Sequence, residues 1–279
     1  MYNDIEEKGL TALYWLAASL IVIILLAVIG YIFMRGIGVF NLDFILSKPG
    51  AGGKTGGILT PMLGTLYTTA GALLTAIPIG IGTAIYLEEY AHRRNVFAYI
   101  VNLTSETLAG IPSIVYGLFG FVFFVLYLDL GWSIISGSLT LAIMILPTIT
   151  RTAQEAILAV PREYRENSLA LGASRWQTVS KIVIPSAIPG IMTGIILSIG
   201  RAVGETAALI LTAGSSLGMP GSLADPARTL SVHLYILAME GISMPRAFGT
   251  ALAIVIMILM INYLAGWSMR RLSRSGRFE

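Results

Sequence analysis

Two charged residues interrupt an apolar run, Arg201 and Glu205 in GRAVGETAALI. On a continuous helix their i,i+4 spacing sets them on one face, close enough to pair. An arginine at membrane depth costs at least ~2.5–3.5 kcal/mol on insertion scales, so it is retained where it faces a polar path or a partner. Its planar fork donates two parallel hydrogen bonds, which suits a tetrahedral oxyanion. Glu205 would then orient the arginine and limit its grip, because a site that holds an anion too tightly cannot release it. A fixed ion pair locking helices together explains the same residues, and physics alone leaves both readings open. Gly200 and Gly204 form a small-xxx-small step beside that face, which lets another helix approach. Arg151, at the end of an earlier apolar run, is a second path candidate by position, with interfacial anchoring as its alternative. Glu106 is an acid near the start of a further run. The preferred reading puts it at a helix start, where the dipole favours negative charge; the alternative turns it toward a pore or a partner.

A second constellation lies in Val160 to Pro185, VPREYRENSLALGASRWQTVSKIVIP. It reads as two short helices and a turn. Pro161 suits a first helical position, where its missing N–H has no partner to lose. Gly172 suits a helix end, because glycine takes the left-handed conformation cheaply. Ser174 and Gln177 have capping-box spacing and start the next helix. Pro185 is expected to end it before the following apolar run. A DNA-reading helix–turn–helix is set aside because the segment sits between two membrane spans. An amphipathic loop lying on lipid headgroups is the plainer alternative.

The elements that must carry these residues follow from composition. Of 279 residues, 56% are hydrophobic and only 12% charged, with a mean hydropathy of +0.80. A soluble domain carries roughly 25% charge, so a water-solvated surface is excluded, and with it a soluble enzyme or nucleic-acid-binding domain. There is no cysteine, and the two histidines, His92 and His233, show no metal-ligand pattern. About 20 apolar residues cross a bilayer. Six stretches qualify: Gly9–Met34, segments within Pro61–Leu87 and Val96–Leu128, and then Trp132–Thr150, Ala187–Leu211 and Ala247–Met269. No strand alternation is visible, and helices are the expected form because a lipid-exposed backbone must bond to itself. The first run is too long for a signal peptide and reads as a retained helix. Six spans put Lys8, Arg93, Arg94, Arg151, the basic residues of 160–185 and the tail residues Arg270, Arg271, Arg274 and Arg277 on one side. Arg35, Lys48, Lys54, Arg228 and Arg246 fall on the other. The positive-inside rule makes the richer side, with both termini, cytoplasmic. The expected organisation is an N-terminal helix and outer loop over 1–60, a transmembrane domain over 61–269 and a basic tail over 270–279.

The 160–185 loop resembles the coupling motif of importer-type ABC permeases: EAA, three residues, G, nine residues, I, one residue, LP. Glu166, Gly172, Ile182, Ile184 and Pro185 match with every spacing kept; Asn167 and Ser168 replace the alanines and Ile184 the leucine. RAVGETA at Arg201–Ala207 is similar to the RAxGET segment of phosphate-specific permeases. LAGIPSIVYGLFG at Leu108–Gly120 and GGILTPMLGTL at Gly56–Leu66 look like segments of their A-type (PstA) subunit. Sulfate and molybdate permeases usually have a GEFG-like run after the arginine, whereas Thr206 and Ala207 follow Glu205 here.

The resemblance implies an all-α type I ABC importer permease with six transmembrane helices and a cytoplasmic coupling helix, in the cell membrane. It implies partners: a second permease subunit (PstC-like), two ATPase subunits (PstB-like) that use ATP and Mg, and a phosphate-binding protein (PstS-like). By resemblance Arg201 and Glu205 line the translocation path and the coupling helix docks on the ATPase. This chain would be no enzyme and would bind no cofactor or metal. The alternatives are a permease for phosphonate, sulfate or molybdate, a non-transporting sensor or assembly subunit, and, least favoured, a self-sufficient ion channel. SKPGAGGKTGG, Ser47–Gly57, is not a nucleotide loop, since Lys48 stands where the first glycine belongs; it reads as a flexible outer loop. Ala227–Glu240 is expected to be a short amphipathic outer helix, contacting a binding protein or covering the outer mouth.

Overall fold

The computed structural model describes residues 2–91 and 96–275; His92, Arg93, Arg94 and Arg277, considered above, lie outside them. Helix α1 (Tyr2–Gly36) leads to a short α2 (Leu42–Leu46) and a hairpin of β1 (Pro49–Gly50) with β2 (Thr55–Gly56). Helix α3 (Leu59–Ile85) continues through a π turn to Tyr90. Helices α4 (Val96–Ala109) and α5 (Ser113–Gly120), the latter extended by a π segment to Tyr127, are separated by a bend of 108°. Helix α6 (Ile134–Leu158) precedes α7 (Arg162–Ala170) and α8 (Arg175–Thr178). A π turn over Val179–Val183 joins α8 to α9 (Ile184–Gly204), followed by α10 (Ala207–Thr212), α11 (Leu230–Met239) and α12 (Met244–Ser275).

Among the described residues five helical stretches are long and apolar enough to cross a membrane, and the bent α4–α5 pair makes six when counted as one span. The contacts alternate their direction. Gly36 of α1 meets Phe248 of α12, Gly64 of α3 meets Arg228, and the Ile134 N–H donates to the Asp225 carbonyl, all at one end. The π turn after α3, the end of α6 and α7–α8 gather at the other. The third run is therefore a broken crossing rather than one straight helix. Pro112 sets the break: it lacks the N–H that would bond back to Leu108, and it steers Ile111 out of the helical region.

The central core joins α3, α5, α6, α9, α10 and α11 through Ala72, Ala76, Tyr116, Leu141, Ile145, Ala202, Leu209 and Val232. Small residues set the spacing. A Cβ on Gly194 would fall 1.8 Å from Thr152 Oγ1, and one on Gly190 2.6 Å from the Ala156 Cβ. The close approach of α9 to its neighbour thus occurs at Gly190 and Gly194. The step expected at Gly200 and Gly204 has nothing within 4 Å. Helix α1 is exposed from Leu10 to Ile29.

Three local expectations change. The Ser47–Gly57 loop is folded, not free: it forms the β1–β2 hairpin, Gly53 packs on His233, and the Gly56 carbonyl accepts from Arg246. Helix α11 is apolar and buried rather than amphipathic, with Leu230, Val232, His233, Ile236 and Leu237 inside. Pro185 does not end the second short helix. The π turn inserts one residue, and the chain runs as a continuous helix from Arg175 to Gly204. Such an insertion lets the backbone absorb a residue without a proline-induced stop.

Candidate translocation site and coupling loop

Arg201 occupies the last turn of α9 with its side chain exposed. The helix stops at Gly204, and Glu205 turns to an extended conformation, φ −71° and ψ 132°. The expected i,i+4 pair therefore does not form: the helix that would bring the two charges together ends between them. Glu205 instead accepts at Oε1 from the Ala208 N–H at 3.2 Å, capping α10, while its backbone carbonyl accepts from the Ser231 hydroxyl. A carboxylate is well placed there, because the first N–H groups of a helix lack intrahelical partners. Among the described residues no carboxylate pairs with Arg201. Its charge reaches Tyr116, a buried side chain of α5 whose hydroxyl donates to the Leu108 carbonyl at 2.7 Å across the break. Arg201 thus lies close to the interruptions in two spans.

Arg151 lies on the exposed face of α6. Its Nη1 is 2.5 Å from Glu106 Oε1 of α4, and its Nε is 3.7 Å from Glu155 Oε1 one turn on. Glu106 sits three residues from the C-terminal end of α4, so the helix-start reading is overturned. Next to this pair, Gln154 Nε2 donates to Glu88 Oε1 at 2.9 Å and to Asn102 Oδ1 at 3.1 Å, tying α3, α4 and α6 together.

The 160–185 loop keeps its expected turn and capping box, but Pro161, expected at the first helical position, is the N-cap of α7 with ψ 138°, and the helix starts at Arg162. Gly172 takes φ +88° directly after the α7 cap. Ser174 and Gln177 form a complete capping box, the Gln177 N–H donating to Ser174 Oγ and the Ser174 N–H to Gln177 Oε1. Ser168 and Thr178 hydroxyls, 2.9 Å apart, join α7 to α8. Glu166, Gly172 and Pro185 are exposed, and Ile182 and Ile184 are half-buried on the π turn and the start of α9. Leu171 is 89% exposed and Trp176 61%, an apolar pair turned away from the chain's own core.

Sequence reasoning missed Arg165. Its Nε donates to Glu89 Oε1 at 2.9 Å, Nη1 to the Val160 carbonyl at 2.7 Å and Nη2 to the Ile157 carbonyl at 2.8 Å. One guanidinium thus bolts α7 to the end of α6 and to the π turn after α3. Only the adjacent acids Glu88–Glu89 at the end of a span hinted at such a partner. At the opposite end, His233 is buried beside Arg228, with Nδ1 3.4 Å from Arg228 Nη1. Burial first, then the Arg228 and Arg246 charges, push its pKa down to about 4.

This arrangement of apolar crossings and a capped loop between α6 and α9 defines a class, the polytopic all-helical membrane protein. Known structures share the fold: a bacterial alginate ABC transporter in complex with an alginate-bound periplasmic protein, TM-score 0.66 and 17% identity over 98% of each chain. The inward-facing MetNI methionine ABC transporter superposes with TM-score 0.63 at 18% identity, covering 77% of this chain and 97% of that one. The model of the family described as binding-protein-dependent transport system inner membrane component matches residues 76–277, and the chain belongs to that family. It is 36% identical to the probable ABC transporter permease protein YqgI of Bacillus subtilis over 96% of both chains. It is likewise 36% identical to the phosphate transport system permease protein PstA 1 of Mycobacterium tuberculosis, over 75% of this chain and 69% of that one. The protein is a multi-pass membrane permease subunit of an ABC importer.

Proposed function

We propose that this chain is the A-type permease half of an ATP-driven inorganic phosphate importer, in the cytoplasmic membrane with both termini inside. The observation that carries the reading is the α7–α8 loop. It keeps the coupling-motif spacing, is locked by Gly172 and the Ser174–Gln177 box, and presents Leu171 and Trp176 outward. A rigid, capped segment continuous with α9 can pass a rigid-body push into the membrane. Glu166, Gly172, Ile182, Ile184 and Pro185 form the ATPase-coupling surface and its root. A separate ATPase dimer supplies hydrolysis with ATP and Mg, a second permease completes the path, and a binding protein delivers the anion.

Arg201 and Arg151 are the anion contacts of this path, and Glu205 holds the break that presents Arg201. Support for phosphate comes from the RAVGET segment and from the PstA-named relatives. An exposed guanidinium with no carboxylate partner among the described residues can turn its fork to an oxyanion. Arg201→Gln in the reconstituted complex should abolish labelled phosphate uptake while the partner subunits still co-purify. Wild-type uptake by that variant would remove Arg201 from the path.

A further inference from the structure

The two arginines of the proposed path are in opposite conditions, and the difference lies in Glu106. Among the described residues no carboxylate sits on Arg201. Arg151 has two, Glu106 at 2.5 Å and Glu155 at 3.7 Å, all three more than half exposed on a membrane-spanning face. With one guanidinium between two carboxylates, the local formal charge is −1, which repels a phosphate dianion. Glu106 reaches Arg151 from another helix, whereas Glu155 is one turn along the same one. The carboxylate of Glu106 can therefore move relative to Arg151 when helices shift, and that of Glu155 cannot move far. Glu106 is four residues from the Gly110–Pro112 break, and Pro147 marks α6 four residues before Arg151. A cavity of about 400 Å³ opens on the pair, lined also by Ser105, Thr148 and Thr152.

Resting on the reading of Arg151 as a path residue, the geometry points to Glu106 as an internal counter-anion that gates it. The carboxylate holds one arm of the guanidinium, Nη1, in this conformation. An oxyanion must displace it to bind, and its return expels the oxyanion. No bond is made or broken; one charge-assisted hydrogen bond is exchanged for another. Glu106 thereby sets how weakly Arg151 holds its cargo and is a specificity-determining residue, favouring anions that compete with a carboxylate for the fork.

The test uses the whole importer in liposomes, with inorganic phosphate added in increasing concentration on the ATPase side. In Glu106→Gln, Arg151 keeps the anion, so inhibition of uptake by product phosphate should strengthen about tenfold, the scale of one charge-assisted hydrogen bond. Binding of labelled phosphate to the assembled importer should tighten in parallel in Glu106→Gln, and adding Arg151→Gln should remove that extra binding. Glu106→Asp, one methylene shorter, should shift it in the same direction by a smaller factor, and is the variant read if Glu106→Gln fails to co-purify with its partners. Unchanged product inhibition in the assembled Glu106 variant, with uptake lost in Arg151→Gln alone, would overturn the gate and leave the path reading standing. Normal uptake and normal product inhibition in Arg151→Gln alone would overturn both.

Discussion

Replacing Arg165 by alanine tests whether the coupling segment is bolted to the membrane helices. Arg165 and Glu89 side chains are 20% and 9% exposed, and the guanidinium also satisfies the Ile157 and Val160 carbonyls at the end of α6. Removing it strands a buried carboxylate and frees two carbonyls. Breaking one side of a buried pair costs about 3–5 kcal/mol, because the surviving charge stays desolvated. For a chain of this size, that is a fall in unfolding temperature of about 10 °C. The pair itself is a different quantity from its one-sided loss. Removing both charges in Arg165→Leu with Glu89→Leu should restore most of the stability, since apolar replacement of a buried pair is often neutral. Arg165→Lys should fall between, keeping the charge but losing the fork. The assay is thermal unfolding of the detergent-purified complex, with uptake in liposomes measured beside it. A loss below about 1 kcal/mol in Arg165→Ala would show the pair to be no more than a surface contact. A double variant less stable than the single would refute the desolvation argument.

Three further outcomes follow from local geometry. Gly194→Val should prevent tight packing of α9 on α6, since even a Cβ falls 1.8 Å from Thr152 Oγ1; a loss of about 1–3 kcal/mol is expected in thermal unfolding. Gly172→Ala places a side chain at φ +88° in open space, so a strain of roughly 1–2 kcal/mol should loosen the turn. Its signature is reduced stimulation of the partner ATPase by loaded binding protein. His233 is neutral when folded, its pKa lowered from 6.5 to about 4. Its contribution is complete above pH 6.5 and is lost as pH falls toward 4, because only the unfolded state takes the proton in that window; the whole loss is roughly 3 kcal/mol. Unfolding temperature measured between pH 7 and pH 4 should decline in the wild type and decline less in His233→Asn.

What was legible in the sequence had local causes. Apolar length located each crossing, and Gly172 with Ser174–Gln177 located the coupling turn, because a left-handed glycine and a capping box act within a few residues. The break at Gly204–Glu205 was not legible, since the apolar run continues through Ala207–Thr212 and helical spacing was carried across it. The place of Glu106 near the C-terminal end of α4 is not legible for a related reason. Its partner Arg151 lies 45 residues away, and no local pattern links them. The buried character of α11 was hidden too, because burial there depends on the hairpin and on Arg228 folding over it. Arg165 looked like one of several basic residues facing the cytoplasm, and only the fold brings it to Glu89, 76 residues earlier.

The most direct measurement reconstitutes this chain with its permease, ATPase and binding-protein partners in liposomes. ATP hydrolysis and uptake of labelled anion are followed with phosphate-loaded and with sulfate-loaded binding protein. The account predicts that phosphate alone stimulates hydrolysis and is taken up. Stimulation by sulfate or another oxyanion instead would contradict the phosphate assignment, and failure of any ATPase to assemble on the Glu166–Pro185 segment would contradict the coupling reading itself.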